Sequence, residues 1–170
     1  MKRGYFMTLV GLQVIFLLLM TVSFYAMDSF GEKIKLKSEP VDPRDPFYGD
    51  YVTLSYEVEQ ISDEKWTGEK NVHPGEKINV LLEPNENGVY EVKQASPDSI
   101  TASSKDQVVL EAKYEGHDNF LKTHHVSLGL SRYYIQENDG AQFGNASDEK
   151  LVEIVVSPWG QKKIISVKSS

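Results

Sequence analysis

The chain has 170 residues, with 25 acidic and 18 basic side chains and a formal charge of −7. Such an acidic chain is repelled by nucleic acid, so a nucleic-acid partner is set aside. Cysteine is absent, which excludes disulfides, thiolate metal sites, a cysteine nucleophile and a lipid-modified cysteine.

The first element is a membrane span. Tyr5 to Met27 contains no charged residue, and about 20 helical residues cross a hydrocarbon layer of about 30 Å. Inside a helix the backbone groups of the span satisfy one another where no water is present. Lys2 and Arg3 precede the span and Asp28 follows it, which predicts a cytoplasmic N-terminus and an exported remainder. Tyr5, Phe24 and Tyr25 flank it, where aromatic rings favour the interface. A cleaved signal peptide is the rival reading, but it usually has a shorter apolar run and a small-x-small site. Here Phe24 stands at the −3 position of a site ending at Ala26, and Thr21-Val22-Ser23 is a weaker site. The expectation is an uncleaved, single-pass anchor in the cell membrane, with residues 1–27 as cytoplasmic tip and transmembrane helix.

Asp28 to Ser38 reads as a stalk, in which Ile34 and Leu36 alternate with Lys33, Lys35 and Lys37 and a first strand can begin. Pro40-Val41-Asp42-Pro43-Arg44-Asp45-Pro46 follows, and its prolines exclude a helix and disfavour a central strand. Tyr51 to Val58 alternates strictly, with Val52, Leu54, Tyr56 and Val58 on one face, the pattern of a half-buried strand. Glu59 to Gly75 reads as a surface loop carrying Trp66. Further strands are expected over 77–82, 89–93, 107–114, 125–136, 151–156 and 164–167. Turn sequences lie at Glu83–Gly88 and Ser157–Gly160. Helix signals are sparse, with one short turn expected at Ser147–Lys150. The fold class is therefore all-β, a single small barrel or sandwich over residues 39–170 behind one transmembrane helix, with Val52, Leu54, Tyr56, Val109 and Ile154 in its core.

Gly49-Asp50-Tyr51-Val52-Thr53-Leu54-Ser55-Tyr56 resembles, letter for letter, the pattern that names the GDYXXLXY family of bacterial membrane-anchored proteins. The proline-rich approach, with Asp42, Pro43, Arg44 and Asp45, is similar to that family's usual lead-in. Leu130 to Gly140, with Arg132, Tyr133 and Tyr134, is similar to its second marked region, although Gln136–Gly140 is looser than the family's turn there. The resemblance implies no established activity. It does imply a multi-pass membrane protein as a partner.

On physical grounds Gly49 suits a backbone angle barred to other residues. Asp50 can accept amide hydrogen bonds at the same corner. Leu54 and Tyr56 enter the core. The motif then reads as a loop-and-strand staple, or as a binding surface built on that corner. Asp42, Asp45 and Asp50 could offer oxygen donors to a hard cation, but their spacing fits no known loop, and an Arg44 ion pair is the expectation. The histidines are His73, His117, His124 and His125. The adjacent pair points to opposite faces of a strand and cannot share an ion, so solvated histidines and no metal site are expected. Trp66, Phe120, Phe143 and Trp159 would form a ligand surface only if they cluster. A Gly-Asp pair entering a strand is also similar to membrane-tethered Ser/Lys peptidases, but Pro40 and Pro43 stand where the nucleophile would be. No cofactor and no catalytic residue is assigned. The expected function is a non-enzymatic extracytoplasmic domain that binds or supports another envelope protein; the alternative is a hydrolase on a peptidase-type β fold.

Overall fold

The computed structural model describes residues 2–41, 51–68, 71–134 and 149–169. Among the described residues, helix α1 (Lys2–Phe30) precedes strands β1 (Glu32–Val41), β2 (Tyr51–Tyr56), β3 (Gln60–Ser62), β4 (Lys77–Pro84), β5 (Tyr90–Ser96), β6 (Val108–Asp118), β7 (Thr123–Ser127), β8 (Arg132–Tyr134), β9 (Lys150–Val156) and β10 (Lys162–Ser169). They form two five-stranded sheets, in the orders β10-β9-β1-β2-β8 and β3-β7-β6-β4-β5. These named strands pair antiparallel throughout the described residues. Among the described residues no α-helix follows Phe30, as the scarcity of caps predicted.

One core joins the sheets. Ile34, Leu36, Leu54, Tyr56, Val152 and Ile154 come from the first, and Ile61, Ile78, Val80, Leu82, Leu110 and Val126 from the second. Alternation carries each inward. In β6 the charged Glu111, Lys113 and Glu115 face out, and Val108, Leu110, Ala112 and Tyr114 face in. Val109, expected in the core, is only half-buried because the strand's phase is opposite to that expectation.

Two further expectations change. The single strand expected over 125–136 is two strands: β7 ends at Ser127, Gly129 turns with φ +73°, and β8 crosses to the other sheet. Glu59–Gly75 is not simply a surface loop. A 3₁₀ turn at Glu57–Glu59 ends the strand expected over 51–58 at Tyr56, and the segment after it holds strand β3 and a second 3₁₀ turn at Asp63–Lys65. Trp66 then bridges to Ala95 and is buried in the core. Lys150, expected in a helical turn, opens β9.

Residues 32–38, within the expected stalk, belong to β1, the middle strand of its sheet. The helix meets that strand at Gly31 alone. Gly31 N donates to Met27 O at 2.9 Å, and Met27 is buried. Asp28 pairs with Lys163 on β10 at 2.7 Å, and the same ammonium lies 4.4 Å from the Phe24 ring centre. A Cβ on Gly31 would stand 2.4 Å from both Met27 O and Val155 Cγ2, so only glycine fits this junction. Beyond it α1 is long and apolar enough to cross a membrane, and its apolar side chains from Tyr5 to Tyr25 are exposed along its length.

Candidate functional site

The two marked segments of the sequence are neighbours. β2 pairs with β8 in the register Tyr51↔Tyr134, Val52↔Tyr133 and Thr53↔Arg132. Leu54 N donates to Ser131 O at 2.9 Å, and the buried Tyr56 hydroxyl donates to Leu130 O at 3.0 Å. Glu59 braces the same crossing: one oxygen accepts from Tyr56 N and the other from Leu128 N. Burial raises the Glu59 carboxyl above its ordinary range despite both amides, and burial followed by the Glu59 charge raises the Tyr56 phenol. Leu54 and Tyr56 are thus core residues. Tyr133 packs half-buried against the core, and Arg132 is exposed. Asp42, Pro43, Arg44, Asp45, Gly49 and Asp50 lie outside the described residues, as does Phe143.

A second constellation was not legible in sequence. A bulge between Tyr114 and Gly116 shifts the β6–β7 register and sets His117 directly opposite His124. Their rings lie 4.4 Å apart. From the 3₁₀ turn after β3, Asp63 Oδ1 reaches both, 2.8 Å from His117 Nε2 and 3.2 Å from His124 Nε2. The far ring nitrogens also meet oxygen: His124 Nδ1 lies 3.2 Å from the Tyr114 hydroxyl and His117 Nδ1 3.1 Å from Asn119 Oδ1. His124 is buried, against the expectation of a solvated histidine, and the Trp66 indole stacks on it at 4.0 Å and 13°. Asp63 and His117 keep about a quarter of their side-chain surface open, at 29% and 26%. Two imidazoles and a carboxylate, with one open side, form a donor set for a metal ion.

The remaining candidates are weaker. The aromatics that would make a ligand surface only by clustering lie apart among the described residues: Trp66 is core, Phe120 tips the β6–β7 turn, and Trp159 lies in the β9–β10 turn. A cleft of about 480 Å³ is lined by Lys37, Glu57, Tyr90, Glu149 and Lys150. Lys37 holds Glu149 at 2.9 Å and Glu57 at 3.7 Å across it. Next to it Ser38 faces Lys150 across the β1–β9 pair, and both are buried. A serine beside a buried lysine is the hydrolase signature, but the Ser38 hydroxyl donates to Ser55 O at 2.9 Å and has no exposed surface. A nucleophile must reach its substrate and give its proton to a base, so this pair is a packing arrangement.

The family described as GDYXXLXY protein matches residues 13–167, from within α1 to β10. Neither the curated proteins nor the solved structures compared contain a match to the chain.

Proposed function

The chain belongs to the GDYXXLXY family, and from that premise we propose that it is a single-pass membrane protein of bacteria whose β domain lies outside the cytoplasm and supports another envelope protein. The observation that carries this reading is the linker-free junction at Gly31. A domain on a flexible tether is placed loosely. This one is locked to its helix by Met27, by Asp28–Lys163 and by Lys163 over Phe24. Such a joint transmits helix position to the domain, which is what a subunit held in register beside a membrane partner requires. The β9–β10 turn with exposed Trp159 follows Val156, which lines a shallow hollow with Phe30. An indole there suits the head-group level.

Gln13 supports a partner within the bilayer. It carries an amide in the middle of a charge-free run, and among the described residues its side chain has no hydrogen-bond partner. Thr8 and Thr21, by contrast, satisfy themselves on Gly4 O and Leu17 O. An amide in hydrocarbon is stabilised by a polar group on a neighbouring helix, by about 0.6–2 kcal/mol. A photoreactive residue at position 9, 13 or 16 should therefore capture a discrete membrane protein in cells, and Gln13→Leu should reduce copurification of that protein. Capture of lipid alone at all three positions would overturn the reading.

A further inference from the structure

We infer that Asp63, His117 and His124 bind one divalent transition-metal ion of the zinc class, a site that stands apart from the membrane reading. Two imidazole nitrogens suit zinc and its first-row neighbours, whereas calcium and magnesium select oxygen-only shells. The three donor atoms lie within 4.8 Å of one another. Metal–ligand bonds of about 2.0–2.1 Å in a tetrahedron put donors about 3.3 Å apart. Asp63 Oδ1 now stands 2.8 Å and 3.2 Å from the two nitrogens. A retreat of about half an ångström by the partly exposed carboxylate would bring its contact with His117 to the tetrahedral separation, which its contact with His124 already approaches.

The surroundings match what metal-binding histidines need. A ligating imidazole is held by an oxygen on its other nitrogen, which fixes ring orientation and tautomer. Tyr114 stands in that position for His124 and Asn119 for His117. Trp66 stacked on His124 and the cross-strand placement of His117 hold the rings before any ion arrives. The open side of Asp63 and His117 leaves a coordination position for water or a partner's donor. Bound metal would clip the Asp63–Lys65 turn to the β6–β7 hairpin.

The test uses the full chain in detergent, stripped with a chelator and titrated with Zn²⁺ by calorimetry. Trp66 supplies a local signal: the chain has two tryptophans, so in a Trp159→Phe background emission reports on the indole beside His124, and Cu²⁺ or Co²⁺ should quench it. We expect one equivalent of Zn²⁺, a melting temperature that rises with the ion, and affinity lower by at least about tenfold in Asn119→Ala. His117→Ala should lose more, and His73→Ala, an exposed histidine elsewhere, should match the wild type. Should His117→Ala melt before titration, Asp63→Asn keeps the side chain's size and supplies the same comparison. Absence of stoichiometric Zn²⁺ binding would overturn the inference, as would binding of equal affinity in Asp63→Asn and the wild type.

Discussion

Tyr56→Phe removes one oxygen from the enclosed end of the motif strand. The Tyr56 side chain has no exposed surface, and its hydroxyl is 3.0 Å from Leu130 O, just before β8. Its loss removes one hydrogen bond and leaves a carbonyl under-satisfied, costing about 1–2 kcal/mol. Tyr56→Ala also empties the space of a buried ring between the two sheets, about 3–5 kcal/mol. For a domain of this size, about 1 kcal/mol shifts the melting temperature by roughly 2–4 °C. Thermal melts of the full chain in detergent, followed by circular dichroism, should rank wild type above Tyr56→Phe above Tyr56→Ala. The pH dependence adds a separate check. Burial raises this phenol above its ordinary value of 10 in the folded state, so the folded chain holds the proton more tightly than the unfolded one. The stabilisation is complete below pH 10 and is lost as pH rises above it towards the folded value, with a slope of up to about 1.4 kcal/mol per pH unit. Tyr56→Phe has no proton to lose there and should show a shallower alkaline decline. Equal melting at neutral pH, together with identical alkaline limbs, would refute the assignment of Tyr56 as the buried tie between β2 and β8.

Gly31→Ala should lower the melting temperature and raise amide exchange over residues 28–36, because its Cβ would meet Met27 O and Val155 Cγ2 at 2.4 Å; unchanged exchange would mean the junction has room to spare. Val108→Ala should destabilise by about 1–3 kcal/mol and Val109→Ala by less than about 1 kcal/mol, since only Val108 is fully inside. The reverse order in denaturant melts would restore the opposite phase for β6. Lys163→Ala should cost no more than about 1 kcal/mol of stability, its ion pair with Asp28 being partly exposed. The same change should broaden the distance distribution between spin labels on α1 and the sheets; an unaltered distribution would show that Met27 packing alone fixes the helix.

Much of the fold was legible because its signals are local. The charge-free run from Tyr5 to Met27 gives α1, and strict alternation gives the strand that begins at Tyr51. The β6 phase was present but masked by adjacent valines; the outward charges Glu111, Lys113 and Glu115 carry it. The break between β7 and β8 had a signal in Gly129, but a change of sheet is a long-range event that a pattern of apolar residues does not encode. In β1 the alternation of isoleucine, leucine and lysine is a local signal, whereas its central place depends on β9, more than 100 residues later. The Asp63–His117–His124 cluster was out of reach for the same reason. The adjacent histidines do diverge, as expected, but the partner of His124 comes from β6 through a one-residue bulge, and Asp63 is 54 residues from His117.

The proposal of an exported, anchored domain is tested most directly by a reporter fused after Ser170 and active on only one side of the membrane. The expected result is activity from the reporter that works outside the cytoplasm, silence from the cytoplasmic one, and a fusion that stays with the membrane fraction at full mass. Activity of the cytoplasmic reporter would contradict the orientation. Release of a shortened product lacking residues 1–23 or 1–26 would contradict the anchor.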